Sequence, residues 1–140
     1  MGSSVTQSRK RRIFLEIIYM AKRRMFSIDI VESDAFCSLP SSAQSLYFHL
    51  CMNADDDGFV DKWKSISRYL KIKRAMLDEL LRMGLVIAFA GDVLLISDWH
   101  RHNTIKLDRY SEGRYRHLLD LMDKDASGRY FKPSGVFLDP

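Results

Sequence analysis

Residues 61–97 constrain the fold more than any other part of this chain. Two short helix-period runs, Trp63, Ile66 and Leu70 and then Leu77, Leu80 and Leu81, flank a tight turn at Lys71-Ile72. Asp61 is placed to cap the first helix, and Gly84 to end the second as a left-handed residue. Leu85–Phe89 and Val93–Ser97 follow as β-prone runs on either side of Ala90-Gly91-Asp92, the signature of a hairpin. A helix pair feeding directly into a hairpin predicts a mainly α fold with a small β-hairpin (α+β), a winged helix-turn-helix. Its recognition helix would run over about Lys73–Met83.

The flanks add elements around this centre. Ser33-Asp34 caps a short turn through Leu39, and Pro40 ends it because its ring removes an amide donor and restricts the preceding residue. Ala43, Leu46, Tyr47, Leu50 and Ala54 then fall on one face, predicting a helix over 42–53, with Ser41 and Gln44 at capping-box spacing. Asp55-Asp56-Asp57-Gly58 reads as a turn, and Phe59-Val60 as a very short strand. Beyond the hairpin, Tyr115, Leu118, Leu119 and Met122 predict a further helix over 111–124, ended by Ser127-Gly128.

With 140 residues, 46% of them hydrophobic, the chain can bury one core. Residues 1–19 form a basic N-terminal extension upstream of Met20, which opens a start-like segment. Residues 20–125 make the winged-helix domain with its C-terminal helix, and 126–140 are a tail or the beginning of a linker. Cys37 and Cys51 form no CxxC pair and lie among apolar neighbours, which fits reduced structural thiols and a cytoplasmic protein. No run has the length of a membrane span, and the N-terminal stretch lacks a signal-peptide cleavage site.

Charge is distributed more tellingly than its total of +4 suggests. Residues 1–24 carry seven Lys/Arg against Glu16, a net of +6, whereas 25–61 carry seven Asp/Glu and no Lys/Arg. Residues 62–82 return to +5, and 83–140 sum to zero. Clustered cations release counterions from a polyanion, so the helix pair is a candidate phosphate-facing surface. The predicted DNA contacts are Lys62, Lys64, Arg68, Lys71, Lys73 and Arg74, joined by the basic arm Lys22, Arg23 and Arg24. Arg101, His102, Lys106 and Arg109 supply secondary contacts. The wing tip carries no cation, and Asp78 and Glu79 sit in the recognition helix, both of which weigh against tight DNA binding.

Other chemistries find little support. The three aspartates lack the alternating ligands and terminal acidic residue of a calcium loop. His100, His102 and His117 are a weak basis for a metal-dependent nuclease, since His117 lacks acidic companions, and they fit structural or hydrogen-bonding roles better. No phosphate loop, nucleophile elbow or paired-carboxylate helix occurs, so the sequence predicts neither catalysis, nor a metal, nor a cofactor.

A set of segments in order carries a resemblance: Ala21-Lys-Arg-Arg-Met-Phe-Ser27, Ser33-Asp-Ala-Phe36, Leu39-Pro40, Gln44-Ser-Leu-Tyr-Phe-His-Leu50 and Ala54-Asp-Asp-Asp-Gly-Phe-Val60. It resumes at Trp99, His102-Asn103, Ile105 and Asp108-Arg-Tyr110. These resemble the N-terminal domain of phage replisome organisers, which is similar to the N-terminal winged helix of DnaD-type primosome proteins. Lys62–Val86 matches only in pattern. The resemblance implies a role in starting phage DNA replication, through origin DNA, self-association into a homo-oligomer, or both. It also implies a replicative helicase or loader as a partner, reached through sequence absent here. The alternative function is an oligomerisation scaffold of a primosome-type complex without direct DNA binding.

Overall fold

The computed structural model describes residues 21–133. The predicted extension (1–19), Met20 and residues 134–140 of the predicted tail lie outside the described residues. The fold is mixed, with helices around two small antiparallel sheets. Helix α1 spans Ile28–Val31 and α2 Asp34–Cys37. Ser33 caps α2, its Oγ accepting from the Phe36 amide, as Ser-Asp at a helix start should.

Helix α3, Ser41–Met52, buries the expected face, Ala43, Leu46, Tyr47 and Leu50, with Cys51 beside it. The expected capping box does not form. Pro40 occupies the cap position and its carbonyl receives the Ala43 and Gln44 amides, while the Gln44 side chain turns back to donate to Leu39 O at 2.9 Å. Strand β1 is Phe59–Val60. Helix α4, Trp63–Leu70, and helix α5, Arg74–Arg82, are joined through Lys71, which adopts the left-handed conformation at φ 57°. Asp61 does not cap α4; its carboxylate accepts from Tyr115 Oη at 2.8 Å instead. Gly84, at φ +70°, closes α5, and the Leu85 amide reaches back to Leu80 O.

Strands β2, Val86–Phe89, and β3, Val93–Ile96, form the hairpin, and β1 pairs with the other edge of β3 to give the order β1-β3-β2. The register Val86 to Ile96 and Phe89 to Val93 sends alternate side chains to opposite faces. Val60, Val86, Leu94 and Ile96 join α3, α4 and α5 in the main core, around Leu46, Leu50, Ile66, Leu77, Leu80 and Trp99. Each such buried aliphatic contributes about 1.5–3 kcal/mol. Phe59, Phe89, Val93 and Leu95 face the other way, into a second cluster with Met122 and Tyr130. Burial on both faces is why Val93-Leu-Leu-Ile is an unbroken apolar run rather than an alternating one.

That second cluster corrects the expected helix over 111–124. The segment makes a 3-10 helix only at Arg116–Leu121, and Asp123–Lys124 (β4) then pairs with Tyr130–Phe131 (β5). Tyr115, Leu118, Leu119 and Met122 do turn inward as predicted, but against the sheet's second face. The same hairpin carries structure past residue 125, where the sequence suggested a tail: Tyr130 is buried and its amide donates to Ser97 O at 2.8 Å. Trp99–His102 forms a short helix, α6, after β3.

Candidate nucleic-acid interface

The predicted contacts divide into a set that the fold exposes and a set that it consumes. Lys62, Arg68, Lys71 and Lys73, around α4 and the turn into α5, are exposed and, among the described residues, pair with no carboxylate. Amphipathic packing enforces this, because burial of Trp63, Ile66, Leu77 and Leu80 turns the intervening polar residues outward.

Lys64 and Arg74 belong to the same surface but are engaged. The Lys64 ammonium lies 2.9 Å from Asp92 in the hairpin turn, and Arg74 Nε lies 3.2 Å from Asp78 one helical turn on. Both cations also sit over the Trp63 ring, Arg74 at 4.9 Å and Lys64 at 5.7 Å from its centroid. Arg82 pairs with Glu79 at 2.6 Å, so the charges within α5 cancel.

Arg24 is corrected outright as a phosphate contact. Its side chain is 5% exposed, its guanidinium pairs with Asp56 at 3.0 Å, donates to Ala54 O at 2.8 Å and lies 5.0 Å over the Trp99 ring. Lys22 and Arg23 remain exposed. His102 is likewise buried rather than available. The Ser27 amide donates to its Nδ1 at 2.9 Å, which leaves the neutral ring's proton on Nε2, donated to Tyr47 Oη at 2.6 Å. Burial holds the His102 pKa below the ordinary imidazole range, against the attraction of Asp98 and with the repulsion of Arg101. Arg101 pairs with the buried Asp98 at 3.2 Å, whereas Lys106 and Arg109 are exposed on the loop leading to Tyr110.

What the sequence reading missed is the work of the aspartate turn. Asp55 Oδ1 accepts the Asp57 and Phe59 amides, Asp56 holds Arg24 and the Ser111 amide, and Asp57 receives Tyr110 Oη, the Gly113 amide and Arg116. Trp99 Nε1 donates to Asp56 O at 2.9 Å. Burial pushes the Asp55 carboxyl up to about 6 despite those amide donors. Close approach fixes two glycines here: a Cβ on Gly58 would lie 2.6 Å from Trp99 Cγ, and one on Gly113 would collide with the Asp55 carboxylate. Among the described residues no three His, Cys, Asp or Glu side chains are grouped to hold a metal.

His100 Nε2 meets Tyr130 Oη at 2.7 Å, tying α6 to β5. A cleft of about 200 Å³ is lined by Ala21, Arg24 and Lys62 together with Asp55, Asp56, Asp61 and Glu112, whose carboxylates make its lining acidic. Among the described residues no helix is long and apolar enough to cross a membrane. No family model, curated protein or solved structure matches this chain.

Proposed function

We propose that the order α3-β1-α4-α5-β2-β3 is a winged helix-turn-helix and that it serves as the DNA-binding module of a phage replication-initiation protein, a replisome organiser. The carrying observation is the set of exposed cations at the helix pair, Lys62, Arg68, Lys71 and Lys73, which pair with no carboxylate among the described residues. Clustered cations of this kind contribute affinity for a phosphate backbone by counterion release. Origin DNA as the ligand, and a helicase or loader as the downstream partner, come from the resemblance alone. Fluorescence anisotropy with duplex and single-stranded DNA, titrated over salt, tests the module. Wild type should bind with a steep salt dependence, and R68E/K71E/K73E should lose most of it. Equal binding by both proteins, or none by either, would overturn the reading.

A second reading, an oligomerisation scaffold, has its own observation. Among the described residues strand β2 pairs only with β3, and a groove of about 440 Å³ beside it is lined by Leu81, Ile87, Ala88 and the exposed Phe131. An edge that no described strand pairs, beside apolar side chains, is a template for another strand. Light scattering showing a concentration-dependent dimer that F131D dissolves would favour it, and a monomer at all concentrations would remove it.

A further inference from the structure

Resting on the DNA-binding reading, we infer that Asp92 and Asp78 are affinity-setting residues that screen the phosphate-facing surface from within. Five side chains form one connected row: Asp92, Lys64, Trp63, Arg74 and Asp78. The charges alternate along it, carboxylate, ammonium, aromatic ring, guanidinium, carboxylate. Trp63 is buried, and both cations lie over its one ring, Arg74 at 4.9 Å and Lys64 at 5.7 Å from the centroid.

The row bridges three elements. Lys64 comes from α4, Arg74 from the first turn of α5 and Asp92 from the hairpin turn, whose left-handed φ of 62° directs the chain round. Trp63, Arg74 and Asp92 line one groove of about 230 Å³ between α5 and the hairpin. The side chains of all four charged residues are half or more exposed, so the pairs are open to water and to competing anions. Exposed pairs of this kind stabilise a fold by little. Their consequence lies elsewhere: a phosphate approaching Lys64 or Arg74 must displace a tethered carboxylate or be repelled by it. Wild type therefore grips phosphates mainly through Lys62, Arg68, Lys71 and Lys73. The acidic wing tip, which looks unsuited to DNA, becomes an element that limits indiscriminate binding to any polyanion.

The test uses the whole chain, a mixed-sequence duplex as the probe and anisotropy across a salt series. D78N and D92N keep side-chain size and polarity while removing charge. Each should tighten binding about three- to tenfold near 0.1 M salt and steepen the log–log salt slope by up to about 0.9, the value of one added phosphate contact. K64A placed in the D92N background should cancel that gain, which a mere change in wing folding would not do. Binding by wild type that D78N and D92N leave unchanged, or weaken, overturns the screening role while the DNA-binding reading stands. Binding by D78N/D92N where wild type is silent supports the screening role but overturns DNA binding as the work of the wild-type chain, and silence from all forms overturns both.

Discussion

Two basic stretches of this chain look alike on paper and meet opposite fates. Lys22-Arg23-Arg24 follows the first apolar run, and Lys62–Arg74 follows the acidic one; both read as arms for a polyanion. In the fold, Arg24 is inserted between Asp56, Ala54 O and the Trp99 ring, whereas the Lys71 and Lys73 side chains stay in water. The difference is whether the fold brings a carboxylate and an acceptor to the cation. For Arg24 they arrive from Ala54 and Asp56, 30 and 32 residues away, a distance no local pattern reveals.

The contrast is sharpest in stability. Arg24→Met should cost about 3–5 kcal/mol, because Asp56 is left nearly buried without its partner. Arg68→Met should stay within about 0.5 kcal/mol, as exposed surface changes do. Urea denaturation of both variants decides it. Equal losses would mean that Arg24 is no more part of the core than Arg68.

The segments on which the resemblance rests turn out to be largely the ones that hold each other. Met25 N donates to Asn103 Oδ1, Ser27 N to His102, His102 to Tyr47, and Tyr110 Oη to Asp57. Helices α3, α4 and α5 and the hairpin were legible because their apolar periods are local and their turns, all but the one at Lys71, are bounded by Pro, Gly or Asp. The capping details and residues 111–131 were not. Tyr115, Leu118, Leu119 and Met122 have helical spacing, yet Phe59, Phe89 and Leu95 form a sheet face that claims them in another geometry. For the site, the exposed cations could be read from charge alone. The loss of Arg24 and His102 to the interior, and the pairing of Lys64 with Asp92, required the tertiary fold, whereas Arg74 and Asp78 pair locally at i,i+4.

Acidity probes the buried side of the comparison with a moderate expected effect. The depressed His102 pKa means that the unfolded chain takes up this proton before the fold does. Its contribution is full above the ordinary imidazole pKa, about 6.5, and declines as pH falls toward the folded value. Asp55 works with the opposite sign: its raised pKa gives a contribution that is full in acid and lost as pH rises through about 6. D55N should therefore show stability falling on acidification across roughly pH 7 to 5, and H102Q stability falling on the way up. Urea midpoints against pH check this, and parallel curves for the two variants would refute the assignment. Substituting the exposed Lys62, Arg68, Lys71 or Lys73 should leave those curves unaltered.

The smallest effect belongs to Lys71, and it separates durability from purpose. A lysine held at φ 57° occupies backbone space where its own Cβ is crowded and where glycine rests at ease. Lys71→Gly should raise stability by roughly 0.5–1 kcal/mol in urea melts while weakening binding to duplex DNA. A protein improved by losing a residue, and impaired in its task by the same loss, has kept that residue for what it touches. With both outcomes in hand, the left-handed lysine at the tip of the helix pair would be a side chain held for what it binds, at a bend that glycine tolerates better.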